Sequence, residues 1–128
     1  MNDTQRRTIA SLSLTGAAAL LDRKEVSSVE LTELMLRRAG DNRSNAFITI
    51  NEGALKAAAA ADGRRKAGLP LSPIDGVPMA LKDDYCVKGM KMTCASRMLA
   101  DFIPPYSATV AEKLENAGFR EAVIREDK

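Results

Sequence analysis

Lys82 is the residue whose type and position could most readily support chemistry. It ends the apolar run Pro78-Met79-Ala80-Leu81, which predicts a buried strand, and the carboxylates of Asp83 and Asp84 follow it. Ligands of α/β proteins collect at the carboxyl ends of strands, so an amine there can serve as a base or nucleophile. The alternative is an exposed lysine on a turn, ion-paired with Asp83 or Asp84. The spacing alone favours this alternative.

The 128-residue sequence contains no histidine. This excludes Ser-His-Asp and Cys-His catalysis, and most zinc sites, within the chain. Any nucleophile would need another base, and lysine is the main remaining candidate. The two cysteines, Cys86 and Cys94, lack a metal or redox spacing. We therefore expect free thiols, a cytoplasmic protein and no cofactor or metal.

The composition argues against two classes of partner. The net charge is only +2, aromatic residues make up 4%, and there is no tryptophan, so we expect no direct binding to nucleic acid. No apolar run is long enough for a membrane span. A hydrophobic content of 45% is ordinary for a folded domain.

The hydrophobic pattern predicts an α/β domain after a flexible N-terminus, residues 1–11. Helices are expected from Ser13, after the capping box Ser27-Ser28-Val29-Glu30 as far as Ala39, over 53–66, and over 109–117 with Val110 and Leu114 inward. Short strands are expected at 46–50 and 78–82, a loop at 69–76 and a short helix at 96–99. This order suggests part of a partly parallel sheet.

Two motifs resemble the amidase signature family. The first is Gly76-Val77-Pro78 followed by Lys82-Asp83, which is similar to the beginning of that signature. The second, Thr93-Cys94-Ala95-Ser96, resembles a segment of the family's glutamyl-tRNA(Gln) amidotransferase A subunits. The resemblance covers roughly residues 12–118, and the two motifs together are highly specific.

The resemblance implies the N-terminal portion of an α/β/α fold, with helices around part of a mixed sheet. It divides the chain into a partial domain, 12–118, and a divergent tail, 119–128. The family transfers acyl groups with a Ser–cis-Ser–Lys triad, and Lys82 matches its lysine. The motif-supporting residues are Gly76, Pro78, Asp83, Thr93 and Ser96. A small glutamine-like amide is the implied substrate, and other amidotransferase subunits are the implied partners.

Two departures from the family pattern limit what is expected of this chain. Asp84 stands where asparagine is usual, and the Gly-Ser region that carries both serines has no counterpart in the sequence. We therefore expect an incomplete domain, from truncation or a frameshift, that is inactive alone and tends to self-associate. The alternatives are a non-catalytic module that binds amidotransferase partner subunits, and an unrelated small α/β protein.

Overall fold

The computed structural model describes residues 2–41, 47–118 and 120–125. Within them the chain forms helices and strands in the order α1 (Asp3–Ala10), α2 (Leu14–Asp22), α3 (Ser28–Gly40), β1 (Phe47–Ile50), α4 (Ala54–Lys66), β2 (Pro78–Lys82), α5 (Thr109–Asn116) and β3 (Arg120–Arg125). A single 3-10 turn, Arg97–Leu99, precedes α5 and matches the short helix expected there. The α/β class predicted from the sequence is confirmed.

The strands form a mixed sheet in the order β1-β3-β2. β3 is antiparallel to β1 and parallel to β2, with Ile124 opposite both Thr49 and Leu81. No strand was predicted in the tail 119–128, yet the central strand of the described sheet lies there. A short apolar run between charged residues is a weak local signal, and hydrogen bonds from neighbours on both sides decide its conformation.

The N-terminal segment, expected to be flexible, contains α1. The side chain of Asn2 accepts a hydrogen bond from the Gln5 amide at 2.8 Å, and the Gln5 side chain accepts one from the Asn2 amide at 2.9 Å. This reciprocal capping satisfies two amides that a helix start leaves unpaired. Ile9 also packs against the main apolar cluster. Capping and this one contact are the features that the sequence prediction overlooked.

The start of α3 is fixed from two directions. As predicted, Ser27 and Glu30 form a capping box, in which the Ser27 hydroxyl accepts from the Glu30 amide at 3.0 Å. From α4, the Asp62 carboxylate accepts from the amides of Ser28 at 2.7 Å and Val29 at 3.1 Å. A carboxylate is favourable at the positive end of a helix. This contact therefore joins α3 to α4.

The alanine-rich helix α4 packs through its smallest residues. Ala54, Ala58 and Ala61 are buried and recur along one helix face. A Cβ placed on Gly76, in the loop before β2, would lie 3.0 Å from the Cβ of Ala61. The helix and this loop are therefore close enough that neither position has room for a larger side chain.

The buried apolar side chains form several small clusters. The largest contains Ala17, Leu21, Val26, Leu31 and Val77, and so connects α2 and α3 with the entry to β2. At the other end of β2, Leu81 packs with Val87 and Ala111. β2 is thus held by an apolar cluster at each of its ends.

Two predictions of burial were wrong in detail. Val110, expected to face inward, is 50% exposed, and its neighbour Ala111 is buried instead. β2 was expected to be buried throughout, but Met79 and Leu81 are buried while Ala80 and Lys82 are exposed. For α5 the helical periodicity was correct but the side that faces the core was not, and for β2 the alternation of buried and exposed residues was not predicted.

The carboxylate of Asp75 is fully buried, since the relative exposure of this residue is 0%. Arg64 donates to both of its oxygens, at 2.7 and 2.8 Å, and the Leu71 amide donates at 2.9 Å. Arg65 donates to the Asp75 carbonyl oxygen at 3.0 Å. The loop 69–76 is therefore attached to the end of α4 by charge-assisted hydrogen bonds, the stronger kind in proteins.

Opposing effects act on the acidity of this carboxylate. Burial raises the pKa of Asp75, but the hydrogen bonds from Arg64 and Leu71 and the nearby positive charges outweigh it, so the pKa lies below its usual value. The hydrogen bond to Asp75 in turn raises the pKa of Arg64. A carboxylate whose pKa is depressed by folding stabilises the folded state above its unfolded pKa. That contribution is lost as the pH falls through the folded value.

We predict that Asp75→Asn lowers the free energy of unfolding by about 3 kcal/mol at neutral pH, because it leaves the Arg64 charge inadequately paired. The difference from the parent should be constant above about pH 5 and shrink at lower pH, as the parent carboxylate becomes protonated. Urea unfolding at several pH values measures it. Asp22→Asn, at a carboxylate 84% exposed and 4.0 Å from Arg65, is the control and should change little. A difference that persists unchanged to acid pH would contradict the prediction.

Gly118 lies against Asp75 and admits no side chain. Its φ is +85°, and an added Cβ would fall 2.1 Å from an oxygen of the Asp75 carboxylate. Its carbonyl oxygen accepts from the Gly76 amide at 2.9 Å. This hydrogen bond joins the residue just past α5, where β3 is about to begin, to the loop that leads into β2.

We predict that Gly118→Ala destabilises the chain by at least about 2 kcal/mol, from the left-handed φ together with the collision. The matched control is Gly63→Ala, inside α4, where an added Cβ meets nothing within 4 Å. That change should stabilise by about 0.5–1 kcal/mol, since alanine is the better helix former. Thermal or urea unfolding of both variants measures the change in stability. Equal changes in Gly118→Ala and Gly63→Ala would contradict the prediction.

Several large apolar side chains remain at the surface. Met98 is 95% exposed, Leu69 73% and Tyr106 64%. No helix in the described part of the chain is long and apolar enough to cross a membrane. Self-association stays a prediction.

Candidate active site

Lys82 is the last residue of β2 and its side chain is 47% exposed. Its amine Nζ lies 3.5 Å from Oδ2 of Asp84, so one of the two ion pairs considered from the sequence is present. A half-exposed pair of this kind contributes little to stability. The amine is thus presented at the carboxyl end of a strand, the position from which a side chain can act on a ligand.

Asp83, the next residue, is only 5% exposed. Its carboxylate accepts from the Thr93 amide at 2.8 Å, from the Thr93 hydroxyl, and from the Ala95 amide at 3.4 Å. The Cys94 sulfur lies 3.9 Å from the Asp83 carbonyl oxygen. The segment Thr93–Ser96 is thereby held against the end of β2.

This segment has an unusual backbone conformation. Cys94 and Ala95 have φ of +50° and +57°, in the left-handed region that side chains disfavour by about 1–2 kcal/mol per residue. The Ser96 amide closes the turn by donating to the Thr93 carbonyl oxygen at 2.8 Å. Hydrogen bonds to a charged group contribute about 1.5–3 kcal/mol each, enough to offset this strain. Asp83 therefore supplies the compensation that the turn needs.

The structure separates the predicted site residues into two groups. Lys82, Asp83, Thr93 and Ser96 lie together at the carboxyl end of β2. Gly76 and Pro78 belong to its other end, and a five-residue strand spans roughly 15 Å. The first motif therefore combines residues that shape the entry to β2 with residues that lie at the site.

Gly76 and Pro78 have structural reasons for their identity. Gly76 has φ of +89°, and a Cβ there would lie 2.8 Å from the Ser28 hydroxyl, which donates to the Gly76 carbonyl oxygen. Pro78 begins β2, a position at which a strand tolerates proline. The pair fixes how the chain enters the strand that ends in Lys82.

Both cysteines are free thiols, as expected. Cys86 is partly buried with its sulfur 3.4 Å from that of Met92, and Cys94 is exposed on the strained turn.

Among the described residues no group of three or more His, Cys, Asp or Glu side chains could hold a metal ion. The absence of a cofactor stays a prediction. A cavity of about 600 Å³ is lined by residues of α1, α2 and the start of α3, and Lys82 is not among them.

The sequence prediction missed the role of Asp83 and the whole Asp75 cluster. Asp83 was considered, together with Asp84, as an ion-pair partner for Lys82, whereas it binds Thr93, a residue of the second motif. A signal was present, since both residues belong to the two motifs that carry the resemblance. Asp75 and Arg64 gave no signal, because nothing in the spacing of an aspartate and an arginine shows that they meet.

The sequence matches the family model described as Amidase over residues 30–123. It is 51% identical over 102 residues to the A subunit of the glutamyl-tRNA(Gln) amidotransferase of Moorella thermoacetica, an alignment that covers 77% of this chain and 21% of that protein. It is 49% identical over 111 residues to the corresponding protein of Desulfosudis oleivorans, covering 84% of this chain and 23% of that protein.

Comparison with a solved structure also identifies the fold as that of an amidase. The native peptide amidase from Stenotrophomonas maltophilia matches with a TM-score of 0.85 and 29% identity, over 91% of this chain and 25% of that one. The chain thus spans about a fifth to a quarter of the length of these relatives. The resemblance seen in the two motifs and the amidase-signature fold are confirmed: this chain belongs to the amidase family.

Proposed function

We propose that the chain is the lysine-bearing N-terminal segment of an amidase that resembles the A subunits of glutamyl-tRNA(Gln) amidotransferases, and that it works in the cytoplasm. The observation that carries the proposal is the position of Lys82. Its amine lies at the carboxyl end of β2, beside a turn held by Asp83, in a chain half identical to two such subunits over most of its length.

In this proposal Lys82 moves a proton during acyl transfer. As the family resemblance implies, a serine oxygen attacks the amide carbonyl of glutamine, and its proton passes through a second serine and the lysine to the departing nitrogen. The C–N bond breaks, ammonia leaves, and water then cleaves the acyl-serine to give glutamate. Partner subunits would use the ammonia on glutamate-charged tRNA.

The isolated chain is expected to be inactive. Its sequence contains serines but no Gly-Ser run like the one that carries both family serines. The chain would therefore supply the base of a site whose nucleophile comes from elsewhere in the full-length family.

A chimera tests the proposal. Residues 12–118 of this chain would replace the matching segment of the Moorella thermoacetica protein, and release of ammonia from glutamine would be assayed in complex with its partner subunits. We expect the chimera to be active and Lys82→Ala to lower kcat by about 100- to 10,000-fold, the usual contribution of a positioned acid–base group.

The matched control in the chimera is Lys56→Ala, which removes an exposed lysine of α4. It should leave kcat unchanged. A chimera that releases no ammonia would contradict the proposed function, and one whose activity survives Lys82→Ala would contradict the assignment of Lys82. Turnover by the isolated 128-residue chain would overturn the expectation that it is inactive alone.

A second candidate function is a non-catalytic module that binds amidotransferase partner subunits. The exposure of Met98, Ile103 and Tyr106 favours it, because exposed apolar side chains often mark an interface. Co-purification of the isolated chain with those subunits is the test. Loss of capture on changing all three residues to serine would support this candidate, and no capture by the parent chain would exclude it.

A further inference from the structure

A single carboxylate joins the two sequence motifs in space. Asp83 follows Lys82 directly, and its hydrogen bonds come from Thr93 and Ala95 in the second motif. The carboxylate is 5% exposed, so water competes little for these bonds. An aspartate beside a lysine is usually interpreted as its ion-pair partner, and here the neighbouring Asp84 takes that position.

We propose that Asp83 is a positioning residue, which holds the Thr93–Ser96 turn in place beside Lys82 and so sets the geometry of the site. Its meaning for catalysis rests on the function proposed above. The contact itself is present in the isolated chain and can be measured without any activity.

The strain of the turn is the first argument. Two consecutive residues, Cys94 and Ala95, have left-handed φ values of +50° and +57° although neither is glycine. Such conformations persist where surrounding contacts determine them, and they cluster at functional sites. The contacts that determine this one come from Asp83 on both sides of Cys94, through the amides of Thr93 and Ala95.

The shared backbone is the second argument. Lys82 and Asp83 are consecutive, with the lysine 47% exposed and the aspartate buried. Cys94 and Ala95 are exposed, so the turn and the Lys82 amine both face solvent at the carboxyl end of β2. Any movement of the turn relative to Asp83 therefore changes its position relative to the residue that carries the amine.

The chemistry of the donors is the third argument. The carboxylate is satisfied by two backbone amides, whose directions are set by the path of the chain, and by one hydroxyl. Amides in a turn constrain the path of the chain, whereas a lysine on its flexible stem would mainly neutralise the charge. The arrangement is thus suited to fixing a conformation.

The first experiment measures amide hydrogen exchange by NMR on the isolated chain. We expect Asp83→Ala to speed exchange at Thr93 and Ala95 by about tenfold or more, while the amides of β2 and β3 keep their protection. Asp101→Ala, at an exposed carboxylate paired with Lys91, is the control and should change neither amide. Unchanged exchange at Thr93 and Ala95 would overturn the contact, and a uniform increase throughout the chain would reduce Asp83 to a general stabilising role.

A milder pair of variants covers the case in which Asp83→Ala does not fold. Thr93→Val removes the hydroxyl donor and keeps the shape of the side chain, and Thr93→Ser keeps the hydroxyl. The Thr93 hydroxyl also accepts from the Ala95 amide at 3.2 Å, so the readout here is the Thr93 amide, which donates to Asp83. We expect faster exchange at that amide in the valine variant and parent-like exchange in the serine variant. Equal exchange in the two variants would show that the hydroxyl bond does not hold the turn.

The second experiment places Asp83→Ala in the chimera described above. A positioning role predicts a fall in kcat of about 10- to 100-fold with KM nearly unchanged, because misplacement of a reacting group affects mainly the chemical step. Unchanged kcat together with faster local exchange would overturn the positioning role and leave the assignment of Lys82 intact. Activity that is independent of Lys82 would overturn the proposed function. The exchange data would still test the contact of Asp83 with Thr93 and Ala95, because they need no activity.

Discussion

A buried charge is tolerated in a protein only where it is paired and hydrogen-bonded, and Asp75 meets this condition through one arginine fork and one backbone amide. The donors come from the end of α4 and from the loop 69–76. Gly118 completes the enclosure, since only a residue without a side chain fits against the carboxylate there. The hydrogen bond between Gly76 and Gly118 then ties the approach to β2 to the approach to β3. Beyond this tie the two strands pair in parallel, and β2 ends at Lys82.

A buried aspartate lies near each end of β2, and the two are satisfied by different kinds of donor. At its start, a fully buried aspartate is satisfied by a charged arginine, and the arrangement connects helix, loop and sheet. At its end, a second buried aspartate, Asp83, is satisfied by amides and a hydroxyl of one short turn. The first arrangement explains how a sequence with few large buried side chains brings its strand into place. The second explains why the strained Thr93–Ser96 turn stays beside the lysine.

Much of the fold could be predicted because its signals are local. The Ser27–Glu30 capping box, the alanine-rich helix α4 and the glycine after α5 each act within a few residues, and the structure contains all three. β3 could not be predicted, since its conformation depends on hydrogen bonds from strands distant in sequence. The inward side of α5 was misjudged because small Ala111, and not larger Val110, fits against Leu81.

The sequence predicted which residues form the candidate site but not how they are arranged in space. The two motifs identified Lys82, Asp83, Thr93 and Ser96, and these do lie together. The binding of Thr93 by Asp83 depends on two left-handed residues that are not glycine, and no propensity indicates that conformation at Cys94 or Ala95. The sequence predicted that Gly118 ends α5, because that role is local. It could not predict that Gly118 also lies against Asp75, because that contact is long-range.

The most direct test of the central claim, that the Asp75 enclosure organises the chain, is a double-mutant cycle. Arg64→Met, Asp75→Asn and the combined variant would be compared with the parent by urea unfolding at neutral pH. We expect each single change to be strongly destabilising and the double variant to recover part of the loss, with a coupling free energy above about 1 kcal/mol. Additive effects, with a coupling near zero, would contradict the claim.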